Sequence, residues 1–264
     1  GKIKFGDLRL DNFMLNIVVP MAGAGNRFVV AGYSSPKPLI PINGIPMVKL
    51  VINNLRPNEE HRFIFICQQA HIETYKLEEK LSTWAPGCQI IGLDGLTEGA
   101  ACTVLAAKER INNTHPLMIA NSDQYINADI NKYLFEIRRK NLDGLIMTMK
   151  ANDRKWSYVK VDKKKRVTCV VEKEVVSDEA TVGIYNFKKG ADFISAVEEM
   201  IAKDLRVNNE FYVAPSYNQL IKNHKQVGIF NIGKEGDGMY GLGTPIDLEL
   251  FLESPIHKEA TEKA

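Results

Sequence analysis

Short, almost uninterrupted runs of apolar residues alternate with amphipathic runs through the first half of the chain. The strand-like runs lie at 16–20, 62–68, 88–93 and 116–123. The runs with helical spacing lie at 46–55, 71–84, 99–111 and 128–141. Parallel strands that are covered on both faces have this near-continuous apolar character. The pattern therefore predicts an α/β fold with a mostly parallel sheet and helices on both of its faces.

The second half of the chain has a different organisation. Four strand-like runs follow one another with few helices between them, at 144–151, 157–163, 166–174 and 180–188. Two helical runs, one strand-like run and a last helical run come next, around 190–203, 212–223, 227–233 and 245–254. We expect a βα half joined to a mixed-sheet half in one domain, over residues 14–264. Residues 1–13 lack the apolar segment of a signal peptide and are interpreted as a leader, tag or upstream segment, or else as an added strand or interaction arm.

The charge and cysteine content exclude several classes of partner. Lys and Arg number 34 against 32 Asp and Glu, and the net charge of +2 provides no general field for nucleic acid or a membrane surface. No apolar run approaches the roughly 18 residues that a membrane span needs. The cysteines are scattered, without a C-x-x-C pair, which favours reduced thiols over zinc or disulfides. We expect a cytoplasmic protein with no nucleic-acid partner and no membrane insertion.

A glycine-rich loop follows the first strand. Its sequence, VVPMAGAGNRF, places Gly23 and Gly25 one residue apart, so backbone N–H groups can approach phosphate oxygens closely. Phe28 occupies the position of the third glycine in the dinucleotide-binding fingerprint, and Arg27 before it carries donors suited to phosphate. Lys37 lies farther along, between two prolines. Because the connection is much longer than a usual βα loop, these features together predict a phosphate-binding loop.

Two later strands also end in charged residues. Asp123 lies just past a buried strand, at the edge where open α/β sheets bind their ligands. An isolated aspartate there is more often a helix cap or a turn residue, but beside a phosphate loop it is well placed to hold Mg²⁺. Glu172 and Lys173 end another strand, and such a pair taken alone is usually a solvated edge.

Taken together, these stretches resemble the nucleotidyltransferases that activate sugar 1-phosphates and related phosphate esters. That family opens with G-x-G-x-R-[FLM] and continues with P-K-P-[LM], which match GAGNRF and PKPL here. The other matching segments are Leu96–Ala101, Asn121–Asp123, Glu172–Lys173, Val182–Tyr185, Glu210–Tyr212 and Gly243–Pro245. Each motif is short, but their number, order and spacing extend the resemblance over nearly the whole chain from Met14. The resemblance implies a single Rossmann-like nucleotidyltransferase domain.

The resemblance also implies roles for the matching residues. The residues implied to be catalytic are Arg27, Lys37, Asp123 and Lys173. Those implied to bind the nucleotide are Ala22, Gly23, Ala24, Gly25, Asn26, Arg27, Glu98, Gly99 and Ala100. Those implied to bind the acceptor are Glu172, Lys173, Gly183 and Tyr185. Asp123 is the implied ligand of Mg²⁺, which is the cofactor expected.

The chain departs from the family pattern at one position. Many members carry an acidic or amide metal ligand two residues before the last G-T-P segment, and Gly241 holds that position here. Glycine has no side chain with which to bind a metal. We therefore favour a metal held by Asp123, phosphates and water, with Asp237 reaching in from the preceding turn as the alternative.

The implied reaction is attack by an acceptor phosphate oxygen on the α-phosphorus of a nucleoside triphosphate, which releases pyrophosphate. The motifs resemble a branch associated with bacterial capsule and surface-polysaccharide synthesis, so a sugar 1-phosphate is the first acceptor expected. The alternative is a cytidylyltransferase that acts on a phosphocholine- or phosphoglutamine-like ester. The sequence does not identify the nucleobase, and it leaves open whether the protein forms a homo-oligomer.

Two other classes of protein share this type of fold. Metal-dependent glycosyltransferases commonly hold their metal with a D-x-D pair, whereas this chain has Asn121-Ser122-Asp123 together with the arginine and P-K-P phosphate loop. A non-catalytic nucleotide sensor is favoured mainly by Gly241. Both hypotheses rank below the nucleotidyltransferase.

Overall fold

The computed structural model describes residues 13–264 of the chain. The prediction for residues 1–13 therefore falls almost wholly outside the described part. The strands are β1 Leu15–Pro20, β2 Pro41–Ile42, β3 Ile45–Pro46, β4 His61–Gln68, β5 Gln89–Leu93, β6 Leu117–Ala120, β7 Gln124–Ile126, β8 Gly144–Lys150, β9 Ser157–Val161, β10 Val167–Glu172, β11 Glu179–Phe187, β12 Val227–Glu235 and β13 Gly238–Gly241. The helices are α1 Asn26–Val30, α2 Met47–Leu55, α3 Gln69–Tyr75, α4 Leu77–Trp84, α5 Ala100–Leu105, α6 Lys108–Ile111, α7 Ile130–Arg139, α8 Gly190–Ala202, α9 Tyr217–Lys222, α10 Pro245–Glu253 and α11 Ile256–Glu262.

One sheet of 11 strands organises the molecule, in the order β5-β4-β1-β6-β11-β8-β12-β13-β7, with β9 and β10 attached beside β11. The pairs β1–β4, β1–β6 and β4–β5 are parallel, whereas β11 runs antiparallel to β6 and β8. The first half of the chain thus forms the parallel part and the second half makes the sheet mixed. This confirms the predicted α/β fold class and the change of character between the two halves.

The sheet is covered on both faces because its central strands are apolar on both. Ile17 and Val18 are neighbours in β1, both fully buried, yet they belong to two different hydrophobic clusters. One cluster joins the sheet to α2, α4 and α7, and the other joins it to α5, α8 and α9. A third cluster, which includes Phe28, Tyr125 and Phe251, packs α1 and α10 together at the edge where the parallel strands end.

Two predicted helices are each divided in two. The run at 71–84 breaks at Lys76, which adopts a left-handed conformation with φ of 53°, and the chain changes direction there to bury Leu77 and Leu81. The run at 99–111 breaks at Ala106 and Ala107, whose N–H groups bond to carbonyls three residues back instead of four. Hydrophobic spacing alone does not register such local changes of hydrogen bonding.

Several short elements were absent from the sequence prediction. The long loop from Met21 to Asn43 contains α1 and a 3-10 turn at Lys37–Leu39. The strands β7 and β13 pair with each other, and Gly241 of β13 lies opposite Gln124 of β7. This pairing brings the end of β13 beside the residues that follow β6. Within residues 13–264, no helix is both long enough and apolar enough to cross a membrane.

Candidate active site

Two adjoining cavities open at the edge where β1, β4 and β6 end. Cavity A, of about 410 Å³, lies between the loop after β1 and the start of α5. Cavity B, of about 690 Å³, lies between α1 and the start of α10. Ala24, Lys37 and Asp123 line both cavities. The structure therefore brings the predicted phosphate loop and the predicted metal ligand together at one junction.

The glycine loop is positioned by its own backbone and by one side chain from β4. Gly25 has φ of 63°, a left-handed conformation that favours glycine, and it precedes α1. A Cβ at Gly23 would meet no atom within 4 Å, so the space beside the loop is open. The side-chain amide of Gln68 donates to the carbonyl oxygens of Ala22 and Gly23, at 3.0 and 3.1 Å. These carbonyls are thus held by a donor of the protein, which suits a loop whose N–H groups bind an anion.

Lys37 and Asp123 form an ion pair at the junction of the two cavities. The Lys37 Nζ lies 2.9 Å from Asp123 Oδ2, and the two side chains are 25% and 27% exposed. The backbone carbonyl of Asp123 accepts a hydrogen bond from Leu242 N at 2.8 Å, which ties Asp123 to the end of β13. A partly exposed pair of this kind contributes only about 0–1 kcal/mol, so a bound triphosphate or cation can separate it at little cost.

The surroundings of Asp123 fit Mg²⁺. A Cβ on Gly243 would lie 2.7 Å from Asp123 Oδ2, so the absence of a side chain at position 243 leaves room beside the carboxylate. No group of three or more His, Cys, Asp or Glu side chains within residues 13–264 is arranged to hold a metal. The open space beside the Asp123 carboxylate would suit Mg²⁺, which takes one or two carboxylates and completes its coordination with phosphate oxygens and water.

Asp237 does not replace the side chain that Gly241 lacks. It lies in the turn between β12 and β13, where its N–H and its carbonyl both bond to the backbone of Lys234. It is exposed, and it is at the end of β13 opposite to Gly241. Asp237 lines neither cavity A nor cavity B, and a metal held by Asp123, phosphates and water stays a prediction.

All four residues predicted to be catalytic line cavity B, namely Arg27, Lys37, Asp123 and Lys173. The basic residues of this cavity are Arg27, Lys37, Lys155 and Lys173, and its acidic residues are Asp123 and Asp247. Lys173 has φ of 57°, and its Nζ lies 5.5 Å from the centre of the Tyr212 ring. The excess of positive charge suits a polyphosphate. Lys155, Trp156 and Asp247 were not predicted, since their strands and loops carry no phosphate-binding signature.

The segment predicted to recognise the base lines cavity A mainly through its backbone. Gly99 has φ of 119°, and a Cβ there would lie 2.6 Å from the carbonyl oxygen of Phe211. Phe211 N donates to Glu98 O, and Ala101 N donates to Phe211 O. The Glu98 side chain instead pairs with Arg206 at 2.9 Å and is absent from the lining of cavity A, whereas Gly99 and Ala100 line it. Glu98 therefore does not line this wall, and its backbone carbonyl instead holds Phe211 behind it.

Two of the four residues predicted to bind the acceptor lie beneath the site. Gly183 has φ of 87°, and a Cβ there would lie 2.2 Å from the Asn121 side-chain amide. The Tyr185 hydroxyl is 3.0 Å from Thr181 Oγ1, and the residue is buried. Neither residue lines cavity A or cavity B. Gly183 and Tyr185 support the residues above them, whereas Glu172 and Lys173 line a further cavity of about 570 Å³.

Glu172 is a half-buried carboxyl next to Lys173, which lines cavity B. Burial raises the pKa of Glu172 to about 7, against the opposing effect of the Lys173 ammonium and with a further rise from Glu210. Glu210 in turn accepts a hydrogen bond from the Tyr212 hydroxyl at 2.9 Å. This carboxyl therefore keeps its proton to a higher pH than an ordinary glutamate does.

Glu172→Gln should change how stability depends on pH. Between the ordinary pKa of a glutamate, about 4.3, and the native value of about 7, the folded protein keeps a proton that the unfolded chain has lost, so stability falls as pH rises. A glutamine at position 172 does not titrate, so the variant does not lose this stability as the pH rises. Urea unfolding at about pH 5 and pH 8 should show the variant gaining about 1–3 kcal/mol relative to the wild type at the higher pH. Parallel pH profiles for the two proteins would contradict the assignment.

Known proteins share both the sequence pattern and the fold. The family described as "Nucleotidyl transferase" matches residues 17–228. A nucleoside-diphosphate-sugar pyrophosphorylase from Vibrio cholerae RC9 superimposes with a TM-score of 0.77 at 24% identity, over 90% of this chain and 99% of that chain. The inositol-1-phosphate CTP transferase from T. maritima gives 0.71 at 14%, over 95% and 96%. UTP-bound UGPase from Acinetobacter baumannii gives 0.71 at 15%, over 94% and 96%. No curated protein sequence matches the chain.

Proposed function

Since the chain belongs to the nucleotidyl transferase family and is thus a nucleotidyltransferase, we propose that it transfers a nucleotidyl group to a sugar 1-phosphate. The observation that carries this proposal is cavity B, which Arg27, Lys37, Lys173 and Asp123 all line. Four basic and two acidic side chains in one cavity suit the alignment of two anionic substrates and a cation. A hydrolase that depends on a serine or cysteine nucleophile needs a different set of residues.

The proposed reaction needs alignment and charge neutralisation more than acid–base chemistry. An oxygen of the acceptor phosphate attacks the α-phosphorus and forms the new O–P bond. The bond from the α-phosphorus to the bridging oxygen breaks, and its electron pair leaves with pyrophosphate. The attacking phosphate is already ionised near neutral pH, so no general base is required. The protein contributes by holding the two anions in line and by preorganised positive charge.

The phosphate loop and the basic side chains divide this task. The loop from Ala22 to Asn26 would bind the triphosphate through its N–H groups, with Arg27 and Lys37 supplying charge. Asp123 would hold Mg²⁺, which supplies neutralisation of phosphate charge when it is bound. Lys173 would contact the acceptor phosphate from the opposite side of cavity B.

The acceptor is proposed to be a sugar 1-phosphate, and its product a nucleoside diphosphate-activated precursor for surface polysaccharide such as capsule, made in the cytoplasm. The structures with the same fold include one called a nucleoside-diphosphate-sugar pyrophosphorylase and one called an inositol-1-phosphate CTP transferase. The first name contains a sugar nucleotide and the second a phosphorylated polyol, which supports this choice. A cytidylyltransferase of a phosphocholine- or phosphoglutamine-like ester is the second candidate, because Glu172 and Glu210 place acidic groups near Lys173.

A matrix of substrates tests the proposal directly. Each of the four common nucleoside triphosphates is mixed with Mg²⁺ and with glucose 1-phosphate, mannose 1-phosphate, inositol 1-phosphate or phosphocholine, and pyrophosphate release is measured. We expect release that depends on one triphosphate and on one or more sugar 1-phosphates. Release with phosphocholine alone would favour the second candidate. Release that does not depend on any phosphate ester in the panel would overturn the proposed acceptor class.

A further inference from the structure

Position 241 is the place where the proposed metal site lacks a side chain, and another carboxylate lies beside it. Gly241 ends β13 and is paired with Gln124, the residue after Asp123. A Cβ built on Gly241 would lie 3.4 Å from Oδ2 and 3.6 Å from Cγ of Asp247. The Asp247 carboxylate is therefore close to the space that a short acidic side chain at position 241 would occupy.

The position of Asp247 is fixed by the start of α10. Thr244 is the N-cap of this helix, Pro245 is its first residue, and Asp247 is its third. Asp247 N donates to Thr244 Oγ1 at 3.1 Å, so the backbone of Asp247 is anchored by the cap. In a complete capping box the third residue's carboxylate would also accept from the N–H of the cap residue. Among the hydrogen bonds within residues 13–264, that second bond is not made, and the Asp247 carboxylate lines cavity B instead.

Asp247 and Asp123 flank the same short segment of chain. A Cβ on Gly243 would lie 2.7 Å from Asp123 Oδ2, just as one on Gly241 would lie 3.4 Å from Asp247 Oδ2. The Cα atoms of these two glycines are at most about 7 Å apart, because only Leu242 lies between them. Asp123 and Asp247 also line the same cavity B, so an ion held there with several of its waters would face both carboxylates.

We propose that Asp247 supplies the second carboxylate of the Mg²⁺ site, in place of the side chain that Gly241 lacks. This inference rests on the proposed function, because it requires a metal–nucleotide complex in cavity B. It assigns to the first turn of α10 a task that the end of the preceding strand performs in many members of the family. Gly241 and Gly243 would then both leave room for a carboxylate, that of Asp247 beside Gly241 and that of Asp123 beside Gly243.

Metal binding, measured apart from turnover, tests this inference. Mn²⁺ is titrated as its complex with the nucleoside triphosphate that releases pyrophosphate in the substrate matrix, without acceptor, and bound Mn²⁺ is followed by water-proton relaxation. Asp247→Asn should raise the dissociation constant for binding of the Mn²⁺–nucleotide complex to the protein by about 10–100-fold. This is the range found when groups that orient metal ligands are removed. Glu249→Gln removes one charge from an exposed residue of the same helix and should leave the constant within about twofold of the wild type.

A second-site variant distinguishes a direct role of Asp247 in metal binding from a role in stabilising α10 alone. The φ of Gly241 lies outside the left-handed region, and its Cβ position has ordinary contact distances, so Gly241→Asp is sterically allowed. Combined with Asp247→Asn, it should return Mn²⁺ binding to within a few-fold of the wild type. Unchanged binding in Asp247→Asn, or loss without recovery in the folded double variant, would overturn the inference and leave the proposed function intact. Absence of any Mn²⁺–nucleotide complex in the wild type would instead contradict the proposed function.

Discussion

Asp123→Asn is expected to lower Mg²⁺-dependent kcat/KM by on the order of 10³-fold. Asparagine keeps the shape of the side chain but removes the charge at the junction of the two cavities, where Asp123 lines both. A metal that neutralises phosphate charge is worth several kcal/mol in the transition state, which corresponds to about this factor in rate. The measurement is pyrophosphate release over a Mg²⁺ titration, with the concentrations of triphosphate and acceptor varied in turn.

The matched control for this substitution is Asp237→Ala. Asp237 is exposed in the turn between β12 and β13 and is absent from the lining of both cavities, so its loss should change turnover by less than about twofold. The melting temperature of Asp123→Asn should stay near that of the wild type, since the partly exposed pair with Lys37 contributes only about 0–1 kcal/mol. An inactive Asp237→Ala beside an active Asp123→Asn would show that the metal is held elsewhere.

Arg27→Ala is expected to cut kcat/KM by about 10²–10³-fold while the fold is kept. Arg27 is exposed on α1 and faces cavity B, so its removal costs little packing. Loss of one preorganised group that stabilises transition-state charge typically has an effect of this size. Turnover is measured with both substrates varied, and thermal unfolding shows whether the variant is folded. An Arg27→Ala enzyme within a few-fold of the wild type would remove Arg27 from the mechanism.

Lys173→Ala provides the comparison for Arg27→Ala because Lys173 lines the same cavity from the end of β10, whereas Arg27 lies on α1. Its loss should raise the KM for the acceptor and leave the affinity for the triphosphate nearly unchanged in isothermal titration. The two variants together therefore assign each end of cavity B to one substrate. Weak triphosphate binding in Lys173→Ala, with normal acceptor kinetics, would reverse that assignment.

Much of the fold was predictable because the central strands are apolar on both faces. Ile17 and Val18 belong to hydrophobic clusters on opposite sides of the sheet. Strands of this kind are nearly continuous apolar runs, which can be recognised in the sequence. The break at Lys76 and the short strands β7 and β13 were missed because they depend on local backbone conformation and on pairing between distant segments. Periodicity carries no information on either.

The residues that line the candidate site could be predicted where they lie in a local sequence motif. Arg27, Lys37 and Asp123 occur in recognisable surroundings, and the fold brings them to one cavity with Lys173. Glu98 shows the limit of this approach. Its motif fixes the course of the backbone, but its side chain turns to Arg206, which lies 108 residues later in the chain. Likewise, the contact between Gln68 and the glycine loop follows from the parallel pairing of β1 and β4 and has no signature in the sequence.

The close backbone contact between Gly99 and Phe211 has a practical consequence for the exchange of loops between related enzymes. Phe211 donates to Glu98 O and accepts from Ala101 N, and its backbone fills the space that a side chain at position 99 would need. A graft of the 97–101 loop therefore keeps both hydrogen bonds only where its backbone follows the same course past Phe211. The 97–101 loop and the segment around Phe211 should therefore be exchanged together in a chimera.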